Sequence, residues 1–207
     1  CVQSKSIKPF SLQALLISLR SLTLCALFFM AFNSWAATPK LFIATYNANY
    51  SGINVSAVRS LKATSDQLLE LRFEANSWIA SITEFSRFRW SEAGNLTPQH
   101  YTYERKGLGR ERQANLTFNW VDKTVINDVQ GKSWSMDLPE VALDKLGYQL
   151  QLRNDLINQR PLASYKVADG GRLKTYQFKH MGSELLKTSI GPLKTTKVER
   201  VREDSKR

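Results

Sequence analysis

Cysteine is almost missing from this chain: two occur in 207 residues, Cys1 and Cys25, and both precede the region where a folded domain begins to be legible. The rest of the chain therefore forms no disulfide and offers no thiolate as nucleophile or metal ligand. Histidine is as scarce. His100 and His180 stand alone, with no second histidine or carboxylate at a ligand spacing, which argues against a metal centre. The phosphate-cradling patterns G-x-x-x-x-G-K-[ST] and G-x-G-x-x-G are absent, as is the nucleophile elbow G-x-S-x-G. Neither a cofactor nor a catalytic residue is indicated.

Nor is there an apolar run long enough to span a bilayer. The greasiest stretch, Leu22–Phe32, falls short of the roughly 20 residues that a spanning helix needs. Lys5, Lys8 and Arg20 precede it, and the small residues Ser34, Ala36 and Ala37 follow it. That order is the one of a secretory signal, cut between Ala36 and Ala37. The expected organisation is a signal peptide over 1–36 and a single β-rich domain over 37–207, located in the periplasm, with no stable transmembrane span once the signal is gone.

Basic residues outnumber acidic ones by 29 to 18, a formal charge of +11. Three basic residues and no acidic one fall before residue 37, so the excess drops to +8 on the exported part. Such a balance suits nucleic acid, anionic lipid or an acidic polymer and does not choose between them. Export removes nucleic acid from consideration, leaving a lipid, an envelope polymer or an envelope protein as the expected partner.

The remaining sequence alternates. Phe42, Ala44, Tyr46, Ala48 and Tyr50 share one face of a strand, and Leu69, Leu71, Phe73 and Ala75 share one face of another. Short links at Ser51-Gly52 and Thr64-Ser65-Asp66 make these an antiparallel meander. The stretch "SWIASITEFSRFRW" fits neither period well, but its β-branched and aromatic content favours a strand. Further strands are expected around Tyr101 and Tyr103, over Ala114–Trp120, Val125–Val129, Ala163–Val167, Leu173–Met181, Glu184–Ile190 and Leu193–Val201, with turns at Gly182 and Gly191-Pro192. One helix is expected over 138–158. Asp137 and Glu140 form a capping-box-like start, Pro139 sits in the first turn, and Leu138, Ala142, Leu146 and Leu150 follow at helical spacing, with a break conceivable at Gly147.

The fold class is therefore mainly β (α+β), a curved antiparallel sheet or half-barrel of about 9–11 strands with one helix packed against it. Two groups of residues stand out as sites. Trp78, Phe88, Trp90, Phe118 and Trp120 are the candidate lining of an apolar ligand site between sheet and helix, with plain core packing as the competing role of each. Arg105, Lys106, Arg110 and Arg112 form a surface basic patch at the tip of a hairpin around "KGLGR", where Gly107 and Gly109 supply the turn. Phe118 and Trp120 alternate in phase with Leu116 and so face inward, which leaves no stacking platform for bases beside those charges.

The stretches "FIATYNANYSGI", "YTYERKGLGRERQANLTFNW", "LPEVALDKLGYQLQLRNDL", "YKVADGGRLKTYQFK" and "GPLKTTKVERVRED" together resemble a bacterial family of domains of unknown function, number 3108, found in proteobacterial envelope proteins. The resemblance covers about residues 40–204. It implies an exported, largely β protein and brings no established activity or catalytic residue. It also implies further strands beyond Arg207, because the family pattern continues past a final charged strand into another hairpin. More loosely, such a domain is similar to periplasmic lipoprotein carriers, whose curved sheet cups a helix and an apolar cavity. The function expected on these grounds is non-enzymatic binding of a lipid or other apolar envelope ligand. The alternatives are an envelope scaffold without a cavity and, third, a hydrolase.

Overall fold

A computed structural model describes residues 38–64, 68–107, 109, 111–162 and 164–201. The expected signal peptide lies outside these residues, as does Arg110 of the basic patch. Eight strands, β1 (Phe42–Tyr50), β2 (Ile53–Ala63), β3 (Leu69–Asn76), β4 (Ala80–Trp90), β5 (Leu96–Gly107), β6 (Arg112–Asn119), β7 (Thr124–Val129) and β8 (Lys132–Asp137), pair in chain order, each antiparallel to the next. A second sheet follows, made of β9 (Leu143–Asp144), β10 (Tyr165–Asp169), β11 (Arg172–Thr188) and β12 (Gly191–Val201) in the order β12-β11-β10-β9. Helix α1 (Gly147–Ile157) carries the chain from β9 to β10, which run parallel, while the other pairings are antiparallel. The protein is thus mainly β, with open antiparallel sheets and one helix among the described residues.

Alternation puts one face of the meander in the core. Leu61 of β2, Leu69 and Leu71 of β3, Phe88 of β4, Tyr101 of β5, Leu116 and Phe118 of β6 and Val125 of β7 are all buried, and Leu143, Leu146, Leu150, Val167 and Tyr176 close over them. A bulge where Arg87 and Phe88 face His100 and Pro98 lets Gln99 drop out of step. Leu96 and Pro98 therefore stay buried on the same side as Tyr101. β4 hides its period because Glu84 and Ser86, polar residues, occupy inward positions between Ile82 and Phe88.

Two expectations about elements are corrected. The helix begins at Gly147, not near 138. Asp137 ends β8, the Leu138 N–H donates to the Lys123 carbonyl at 2.8 Å, and residues 138–146 cross the core in extended and turn conformations. Leu138, Ala142 and Leu146 are buried as their spacing requires, but by that crossing and not by a helical stripe. Gly182 makes a bulge and not a turn: with φ of 96° it lies inside β11, whose pairing with β12 shifts between His180 and Ser183. Among the described residues the strands number twelve, since β8 and β9 are short additions and the two strands expected around Gly182 are one, β11.

Gly107 and Gly109 both take φ of 101°, but for unequal reasons. A Cβ on Gly107 would stand 2.2 Å from the Ile79 carbonyl oxygen and 2.6 Å from the Ala80 Cα, so the ladder end of β4 and β5 closes only over glycine. Nothing lies within 4 Å of a Cβ on Gly109. Gly107→Ala is expected to cost about 2 kcal/mol or more in urea unfolding, against about 1 kcal/mol of left-handed strain for Gly109→Ala. Equal costs would show that the close approach to Ile79 relaxes freely.

Candidate functional site

The helix is docked by polar groups as much as by apolar ones. Its buried residues include Gln151, Asn154 and Asp155 beside Leu150 and Leu152, so the expected greasy face is half amide and carboxylate. Each of these polar groups has a partner in the turn between β4 and β5 or just beyond the helix. Gln151 accepts from the Leu96 N–H at 2.8 Å and donates to the Gly94 carbonyl at 3.0 Å, and Asn154 donates to the same carbonyl at 3.1 Å. Asp155 accepts from Gln151 at 2.9 Å, from the Tyr165 hydroxyl at 2.7 Å and from Arg160 at 3.4 Å. Burial, together with the bond to that carboxylate, pushes the Tyr165 phenol up, so it stays a hydrogen-bond donor at any physiological pH.

At the other end of the helix, Asp144 is fully buried. One carboxylate oxygen accepts from the N–H groups of Leu146 and Gly147 at 2.9 and 2.6 Å, and the other accepts from the Ser86 hydroxyl at 2.6 Å. Asp144 thus satisfies orphan donors at the start of the helix from three residues before Gly147, a role the residue at the boundary, Leu146, has no polar side chain to perform. Ser86 beside Asp144 has the distance of a nucleophile and its base. With both side chains sealed from solvent and the carboxylate saturated, no substrate reaches them, and the pair is structural. Nearby, the Tyr101 hydroxyl donates to Glu84, and Arg59 donates to Gln149 at 2.9 Å.

A cleft of about 800 Å³ opens where the sheet, the crossing segment and the end of the helix meet. Leu96, Trp120, Val141 and Leu143 give it apolar walls, and its charged residues are Arg160, Lys166, Glu140 and Asp155, of which Arg160 and Asp155 pair with each other at 3.4 Å. Trp120 is fixed there by its indole N–H, which donates to the Pro98 carbonyl at 2.7 Å, and by stacking on Phe118 at 6.2 Å. Val141 is 72% exposed, an apolar side chain on the rim.

Of the five aromatic residues proposed from sequence, Trp120 alone borders this cleft. Phe88 and Phe118 are packed in the core, and Trp90 is half-buried against it, its indole N–H having no partner among the described residues. Trp78 is 82% exposed in the turn between β3 and β4, away from this cleft. The basic patch divides between two faces. Arg105 follows Tyr101 and Tyr103 inward, whereas Lys106 faces outward and pairs with Glu104 at 3.0 Å. Arg112 stands directly opposite Arg105 in the ladder. His100 contacts the hydroxyls of Thr102 and Thr117 and the Phe85 ring, and burial, then Arg87, lowers its pKa. His180 accepts from the Gly182 N–H at 3.3 Å. Sequence reasoning passed over Asp144, Ser86, Asp155, Arg160 and Tyr165, whose partners lie far away along the chain.

Among the described residues no group of three His, Cys, Asp or Glu side chains comes together, and no helix is long and apolar enough to cross a membrane. Among the described residues the fold and the cleft define an open antiparallel β protein with a single helix held over its core by hydrogen bonds, carrying a mixed apolar and charged recess beside that helix. The chain belongs to DUF3108, a family of proteins of unknown function, whose model matches residues 45–207. No curated protein and no solved structure matches it.

Proposed function

We propose that this is a periplasmic, non-enzymatic protein that holds an amphiphilic molecule of the cell envelope, a lipid or a lipid-like group, in the cleft beside α1. The cleft carries the reading: its volume of about 800 Å³ is that of a small-molecule site, and its apolar wall of Leu96, Trp120, Val141 and Leu143 meets a polar end where Arg160 pairs with Asp155 and Lys166 and Glu140 complete the charged rim. An apolar chain would lie against the indole, with a polar end toward the charged rim. The signal-like start of the sequence supports the location.

Protein purified from the periplasm is expected to release lipid into organic solvent, detected by mass spectrometry. It should also bind a fluorescent apolar probe, with Val141→Glu weakening that binding at least about tenfold, because a carboxylate at the rim must be desolvated against the bound chain. Protein that emerges empty, with probe affinity untouched by Val141→Glu, rules the reading out.

The second reading is a scaffold or assembly partner, favoured by the outer half of the β11–β12 hairpin. There Leu185, Ile190 and Leu193 are exposed, and β12 ends its sheet with one side unpaired among the described residues. A protein strand could add there by backbone pairing. A photocrosslinker at position 193 in intact cells separates the two: protein adducts favour the scaffold, lipid adducts alone the carrier.

A further inference from the structure

The β11–β12 hairpin outruns its sheet. β10 pairs with β11 only as far as Tyr176, so the pairs from Ser183–Thr196 to Thr188–Gly191 form a two-stranded ribbon with no third strand on either edge among the described residues. At about 3.3 Å per residue that ribbon reaches about 20 Å. Nearly all of its residues are exposed. Its turn is fixed nonetheless: Gly191 takes φ of 108°, and the Thr188 hydroxyl donates to the Gly191 carbonyl at 2.6 Å.

The tip is apolar in every direction. Leu186 and Leu193 are cross-strand partners on one face, Leu185 belongs to the other, and Ile190 stands 83% exposed in the turn. Cations follow directly behind. Lys194 is the cross-strand partner of Leu185, and Lys187 lies on that same face. Lys197 pairs with Glu184 at 3.5 Å, whereas Lys187 and Lys194 have no ion-pair or hydrogen-bond partner among the described residues.

A protein strand or groove takes one edge or one face of such a ribbon. Apolar side chains that point all ways, with unpaired lysines just behind them, instead match the boundary between headgroups and acyl chains. There leucine and isoleucine enter the apolar layer while long lysine stems carry their ammonium groups back to the phosphates. The open edges set the depth, because unpaired N–H and C=O groups do not enter hydrocarbon.

We propose that the β11–β12 tip is a membrane-docking element: Leu185, Leu186, Ile190 and Leu193 enter the surface of an anionic bilayer, and Lys187 and Lys194 contact its phosphates. The contact does not depend on whether the cleft beside α1 holds a lipid.

Co-sedimentation of the purified protein with phosphatidylglycerol vesicles, with phosphatidylcholine vesicles as reference, tests the tip. Binding is expected to favour phosphatidylglycerol. Ile190→Asp should weaken it at least about tenfold, and Lys187→Gln with Lys194→Gln by a similar factor, at about fivefold for each lysine near an anionic surface. Without vesicles neither variant should shift the melting temperature, since all three side chains are exposed. Lys62→Gln with Lys132→Gln removes the same charge from exposed positions of the meander and should weaken binding far less. Equal weakening in that control marks a general attraction of a basic protein and overturns the docking site. Sedimentation that Ile190→Asp leaves unchanged, or that is equal for the two lipids, overturns it as well. So does absence of vesicle binding, and protein adducts at position 193 then assign the ribbon to a protein partner. Val141→Glu should leave sedimentation intact and Ile190→Asp should leave apolar-probe binding intact, so failure of the tip and failure of the cleft are read separately.

Discussion

Phe88→Ala is expected to lower the free energy of unfolding by about 3–5 kcal/mol, measured by urea titration. The ring is fully buried, sits opposite Leu69 of β3 and Pro98 of β5, and meets Trp90 at 6.3 Å with planes 63° apart. Its removal leaves a cavity in the middle of a sheet whose backbone is held on both sides, so collapse is limited and the cost belongs at the upper end for large-to-small changes. Against a typical total of about 5–15 kcal/mol, the loss is a large share of what keeps the domain folded. Trp78→Ala, by contrast, should fall within about 0.5 kcal/mol, since that side chain is 82% exposed. The pair decides between lining and packing: a loss below about 1 kcal/mol at Phe88 would mean that the ring borders open space and belongs to a ligand site after all.

Asp144 is expected to give the other large effect, and one that depends on what replaces it. Asp144→Ala leaves the N–H groups of Leu146 and Gly147 and the Ser86 hydroxyl without their acceptor in a dry site, at about 1–3 kcal/mol for each such group, so about 3 kcal/mol or more in sum. Asp144→Asn keeps an oxygen for the two N–H groups and offers its amide to a rotated Ser86, and should cost far less. The charge itself is a burden. Burial pushes the Asp144 carboxyl from an ordinary 3.8 up to about 6; hydrogen bonds from Ser86, Gly147 and Leu146 pull the other way, and the charge of Glu84 adds to the rise. Because the folded state holds this proton more tightly than the unfolded chain, the group stabilises most below about pH 4 and loses that contribution as pH climbs through 6. The change amounts to about 3 kcal/mol in all. Stability of the wild type minus that of Asp144→Asn should therefore fall between pH 4.5 and pH 8. A flat difference, or an Asn variant as damaged as the Ala variant, would contradict the assignment.

The strands were legible wherever one face of the sheet is mostly apolar. β1, β2, β3 and β6 show their period because the inward row is largely Leu, Phe, Ala, Val and Tyr, although Arg59 breaks it in β2 by reaching Gln149 of the helix. β4 was blurred by Glu84 and Ser86, whose inward places make sense only once Tyr101 and Asp144 are beside them, the latter 58 residues further on. The helix was mislocated for a related reason. A segment that crosses a core must bury a side chain every few residues, as a helix does, so Leu138, Ala142 and Leu146 satisfied the helical spacing without forming a helix. The true start depends on Asp144 reaching forward and on Gly147, where a Cβ would press within 3.1 Å of Leu96. Of the sites, the split of the basic patch was implicit in the alternation through Tyr101 and Tyr103, which carries Arg105 inward and Lys106 outward. The cleft was not readable, since its walls come from four separate stretches of chain and only Trp120 among them bore any local mark.

Every pairing in the eight-stranded sheet joins strands adjacent in the chain, and the residues that cover its apolar face all come after position 137. A polypeptide delivered amino end first can zip hairpin onto hairpin at once, yet it shows Leu61, Leu71 and Phe88 to water until the last third arrives. The delay makes the half-delivered chain the species most exposed to aggregation, until Asp144 is buried and the helix comes down.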